Sequence, residues 1–83
     1  MNREQRILTV LLDVLADWSE PIDEAVLHAQ LNQQILPAPE VTVAEFRHAR
    51  TTASNSGWIT CVASQRRGDL WAITNKGRAE RQA

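Results

Sequence analysis

The sequence predicts a mainly α domain with a small β-hairpin, in the order helix, helix, helix, hairpin, short helix. Three observations predict it. Apolar residues recur at helical spacing in three segments before Gly57, each opened by a capping residue. After Gly57 the apolar residues alternate instead, as they do in strands. A turn sequence, QRRGD, separates the two alternating runs.

The first helix starts at Asn2, whose side chain can cap it, with Gln5 placed to complete a capping box. Ile7, Leu8, Leu11, Leu15 and Trp18 follow at helical spacing with Val14 beside them, so this stripe, Trp18 included, is expected in the core. Pro21 closes the segment, because it disfavours helical geometry at the residue before it. Asp23 caps a second helix, with Ile22 placed to staple onto Leu27. Leu27 and Leu31 share one face of it, Ile35 is a candidate third member, and His28 is read as a surface or boundary residue. The prolines of LPAPE (36–40) end it.

The third helix is the best signalled. Thr42 with Glu45 is a full capping box and Val41 with Phe46 a hydrophobic staple. The helix is predicted over 43–56, ending at Gly57, which suits a left-handed cap. Val43, Phe46, Ala49 and Ala53 form its expected buried stripe. Arg47, His48, Thr51, Ser54 and Asn55 then face outward, with Arg50 at the border. In the hairpin, WITCVAS and LWAIT are the strands, and Gly68 supplies the positive φ of a short loop. Pairing Ser64 with Leu70 puts Ile59, Cys61, Ala63, Trp71 and Ile73 on one face, with Cys61 expected as a small core residue. Trp58 and Trp71 are expected to brace the hairpin. Thr74 caps the last helix.

The 83 residues contain no repeat or linker and read as one domain, 1–83. The longest apolar stretch, ILTVLLDVLADW, is interrupted by Asp13 and Asp17 and is too short to cross a bilayer. MNREQR carries no apolar signal core, so a cytoplasmic protein without membrane association is expected. A single cysteine excludes an internal disulfide and a cysteine-rich metal site. Only His28 could join His48, and no carboxylate stands at a ligand spacing, so no metal is expected. Nucleophile elbow, glycine-rich phosphate loop and paired-carboxylate motif are all missing, so neither an enzyme nor a cofactor is expected. Net charge is −1, but its distribution is uneven. Before Thr42, two arginines stand against seven carboxylates; from Thr42 on, seven cations stand against three.

The helix order and two short motifs resemble a winged helix-turn-helix domain. GWI (57–59) is similar to the GLI-type exit from the recognition helix of MarR-type and PadR-type regulators. ITNKGRAE (73–80) is similar to the LTxKGRxx that follows the wing in those families. The resemblance implies a three-helix winged helix-turn-helix with a wing and a short C-terminal helix. It also implies a double-stranded DNA partner, with the third helix in the major groove and the wing tip near the minor groove. By position the groove-facing candidates are Arg47, His48, Thr51 and Asn55. Arg50 falls on phosphate, Thr42 lies at a helix start able to take a phosphate, and Arg66 and Arg67 form the wing tip. The chain departs from the family in a shorter wing, Ser64 or Gln65 in place of the Asp that often precedes the wing arginine, and a longer second connection. About nine residues follow Thr74, so the long terminal dimerisation helices of MarR-type proteins are not expected.

Two functions follow as expectations. The first is a small DNA-binding protein, a transcriptional regulator or phage-like accessory factor acting by occupancy. The alternative is a winged-helix protein-interaction module, favoured by the net charge, the acidic first half and the three tryptophans.

Overall fold

The computed structural model describes residues 2–18, 20–66 and 68–82. Seven elements follow in order: α1 (Arg3–Asp17), β1 (Ile22–Asp23), α2 (Glu24–Ile35), α3 (Val43–Asn55), β2 (Ile59–Ser64), β3 (Gly68–Ile73) and α4 (Asn75–Gln82). Local chemistry sets most of these boundaries. The Asn2 side chain accepts from Gln5 N at 2.8 Å, and Gln5 answers at the Asn2 N–H, closing the capping box. Asp23 accepts from Val26 N at 2.8 Å to start α2. Gly57 and Gly68 take φ of 78° and 74°, the left-handed values that end α3 and turn the hairpin.

The core is one apolar cluster. Ile7, Leu11, Leu12, Val14 and Leu15 of α1 meet Leu27, Leu31 and Ile35 of α2 and Phe46, Ala49 and Ala53 of α3. Ile22, Val41 and Ile59 complete it from between and beyond the helices, and every member is at most 3% exposed. Ile35 is thus a full core residue.

Four expectations are corrected. Trp18 is 40% exposed, because α1 ends at Asp17 and Trp18 is already extended (φ −91°, ψ 133°), off the helical stripe. Val43, at the first helical position of α3, is 55% exposed; the buried valine there is Val41, before the cap. α3 ends at Asn55 and Ser56 is its cap, one residue short of the predicted end. Cys61 is exposed rather than core: β2 is buried only at Ile59, its one member of the core cluster.

The sheet has three strands in the order β1-β3-β2, all antiparallel. β1 was not legible as a strand; Ile22 and Asp23 pair with Trp71 and Leu70. Ser64 pairs with Gly68 rather than Leu70. A shift of two residues preserves the alternation of faces, so Ile59, Cys61, Trp71 and Ile73 still share one side, as predicted. Thr74 anchors the hairpin's base: its hydroxyl donates to Gly57 O at 2.6 Å and accepts from Gly77 N at 3.0 Å.

Candidate nucleic-acid interface

α3 is held from three directions. Arg3 of α1 donates to Glu45 through Nε at 2.7 Å and through a terminal nitrogen at 3.2 Å, and to the carbonyls of Pro39 and Glu40 at 3.0 and 3.1 Å. His28 of α2 donates from Nε2 to Val41 O at 2.7 Å, and Asn32 Oδ1 accepts from Val41 N at 2.7 Å. The His28 ring lies stacked on Phe46, centroids 4.7 Å apart. From the sheet side, Trp71 faces α3 through the Arg50 guanidinium, 5.1 Å from its ring. His28 is therefore a structural residue that fixes the start of α3.

Thr42 Oγ1 accepts from Glu45 N at 3.1 Å, and the Glu45 carboxylate accepts from Thr42 N at 3.1 Å. The helix start predicted to receive a phosphate thus already carries the Glu45 carboxylate. The Arg3 hydrogen bond first, and that from the Thr42 N–H second, hold the Glu45 carboxyl at about 2, down from its ordinary 4.5. A carboxyl depressed in the folded state stabilises fully above its ordinary value and loses that contribution as pH falls through the folded value. Between pH 4.5 and about 2, the wild type should therefore lose stability more steeply than Glu45→Gln in denaturant titrations. Parallel losses would show that the clamp contributes nothing.

The predicted site residues divide into two groups. Arg47, Thr51 and Asn55 are exposed on the outer side of α3, and Arg66 is exposed at the hairpin tip. His48 is exposed but sits on the α1 flank, paired with Glu4. Arg50 points inward. It pairs with Glu24 of α2, and its guanidinium lies over Trp71 and, at 5.9 Å, over Phe46. Arg67 lies outside the described residues.

An open cleft of about 620 Å³ lies between α2, α3 and the start of β3. Val43, Phe46 and Arg47 form one wall, Ala25 and His28 another, and Asp23, Glu24 and Asp69 lie around it. Arg47 and the root of the hairpin tip therefore border the same space. The carboxylates beside them were not anticipated. Only the preference of acidic residues for a first helical turn could have hinted at Glu24. Asp69 also lies beside Cys61; partial desolvation first, and the Asp69 charge next, push the thiol pKa up.

Among the described residues, four ion pairs redistribute the charge that is segregated along the sequence. Arg3–Glu45, His48–Glu4, Arg50–Glu24 and Arg81–Asp13 each join the first half of the chain to the second. Among the described residues, Arg6, Arg47, Arg66, Lys76 and Arg78 remain outside such pairs.

No family model and no curated protein matches the chain. Among solved structures, the crystal structure of SSV1 F-93 superposes with a TM-score of 0.74, over 92% of this chain and 78% of that one, at 20% identity. The fold is a winged helix. The hairpin β2–β3 is its wing, β1 is the short strand between the first two helices, and α3 is the helix that precedes the wing. Among the described residues no helix is long and apolar enough to cross a membrane.

Proposed function

We propose that the protein binds double-stranded DNA as a small non-enzymatic regulator of the MarR/PadR type, with the outer face of α3 in the major groove and the wing tip at the adjacent minor groove. The observation that carries this reading is the pair Arg47 and Arg66, exposed and outside any ion pair among the described residues, with Asp69, at the root of the hairpin tip that bears Arg66, lining the same cleft as Arg47. Arg47 and Arg66, with Arg67, neutralise phosphates and set register, while Thr51 and Asn55 read base edges. The wing arginines suit a narrow minor groove, whose potential attracts guanidinium.

Arg50 is engaged with Glu24, so about three phosphate contacts remain, and the salt slope should be about −2.7. Affinity for duplex DNA should then fall about 40-fold between 50 and 200 mM salt. Titration of fluorescent duplexes at several salt concentrations tests this. No binding at low salt would end the proposal, and a slope near zero would remove the arginines from it.

The carboxylates Glu24 and Asp69 at the cleft, with Val43 exposed beside them, favour a second reading, a docking site for a basic peptide. A Glu24→Gln, Asp69→Asn variant separates the two: it should strengthen DNA binding by relieving repulsion, and weaken a basic peptide.

A further inference from the structure

We propose that β2 is a self-pairing edge, along which two copies of the chain join antiparallel about a two-fold axis at Cys61. The sheet order β1-β3-β2 leaves one side of β2 without a strand. Which backbone groups point there follows from the ladder. Thr74 N donates to Trp58 O at 2.9 Å, and these two residues stand in the register that pairs Ile59 with Ile73. Hydrogen-bonded pairs alternate in an antiparallel ladder, so Thr60, Val62 and Ser64 direct their N–H and C=O groups to β3. Ile59, Cys61 and Ala63 direct theirs to the open edge.

Native edges are normally guarded by a charge, a proline, a bulge or a covering segment. This strand, ITCVAS, contains no charged residue, proline or glycine. Thr60 to Ala63 are all exposed, Val62 by 39%. Only another extended backbone presents donors and acceptors at the spacing of such an edge.

Two features of the molecule select a second copy as that backbone. Its other sheet edge, β1, is two residues long and runs directly into α2, so it cannot receive a six-residue strand. Pairing of β2 with β2 is then the matched self-association, and being isologous it closes at two copies instead of growing into a filament. The strand is also complementary to itself. With Cys61 opposite Cys61, Ile59 faces Ala63 and Thr60 faces Val62, with no charges opposed and about six main-chain hydrogen bonds formed. The tips carrying Arg66 project past the paired stretch.

Analytical ultracentrifugation of the full chain tests this, with two edge variants. Ala63→Pro removes an outward N–H and no bond to β3, so it should leave the helical circular dichroism intact while weakening dimerisation at least tenfold. Cys61→Lys places like charges at the two-fold axis and should do the same. In the wild type a short bis-maleimide should join Cys61 to Cys61 in high yield. A wild type that stays monomeric up to its solubility limit overturns the proposal, as does a dimer that survives Cys61→Lys or a folded Ala63→Pro. If Ala63→Pro loses its helical signal, Cys61→Lys decides.

Discussion

Gly77→Ala is expected to cost about 3 kcal/mol of folding free energy or more, at the top of the range for overpacking. A β-carbon at this position would stand 2.1 Å from the Trp58 carbonyl oxygen and 2.8 Å from Ile73 Cγ1. A flexible side chain could yield, but this carbonyl cannot. It accepts from Thr74 N at 2.9 Å, and the Thr74 hydroxyl is tied to both Gly57 O and Gly77 N. Relief would require α4 to lift from the base of the wing, breaking the cap and straining the Arg81–Asp13 pair that ties α4 to α1. For a domain of this size the melting temperature should drop by roughly 12–24 °C. Gly68→Ala is the contrasting control. Nothing lies within 4 Å of its added carbon, and only the φ of 74° resists the change, so about 1–2 kcal/mol is expected. Equal losses at the two glycines would refute the close-approach account of Gly77. The same geometry explains why a glycine stands in the KGR motif after the wing: the helix backbone must touch the carbonyl that opens β2.

What could be read in the sequence was short-range chemistry. The caps at Asn2, Asp23, Thr42 and Thr74, and the left-handed glycines 57 and 68, each depend on a few neighbouring residues, and the structure has all of them. What could not be read depends on where a distant layer ends. Cys61 continues the alternation that puts it on the face of Ile59, but the core reaches β2 only at Ile59, so Cys61 is exposed. Trp18 continues a helical stripe past the last helical residue. β1 is too short for any period to show. The candidate interface follows the same division. The outer side of α3 was legible from its spacing, whereas the engagement of Arg50, the Glu4 partner of His48 and the acidic border of the cleft arise from contacts between the two halves of the chain. Charge counted along the sequence therefore overstated how much of the basic half is available to a ligand.

Arg50 and Arg47, three positions apart on α3, should separate stability from binding. Arg50→Ala is expected to cost about 2 kcal/mol of stability and to leave the salt slope of DNA binding unchanged. Its ion pair with Glu24 is partly exposed and contributes at most about 1 kcal/mol. The guanidinium over Trp71 and Phe46 adds about 0.5–1 kcal/mol at each ring, and its aliphatic stem covers part of the core. Arg50→Met, which keeps the stem and removes the charge, should recover part of that loss. Arg47→Ala removes a side chain that is exposed and outside any ion pair among the described residues, so stability should change by less than about 0.5 kcal/mol. Its effect should appear in binding: the slope should fall from about −2.7 to about −1.8, and the loss of affinity between 50 and 200 mM salt from about 40-fold to about 12-fold. Urea denaturation and salt-dependent titration of the same three variants read both quantities. A reduced slope for Arg50→Ala at unchanged stability would mean that the guanidinium leaves Glu24 for phosphate on binding, and that the pair with Glu24 holds the free protein in a waiting state.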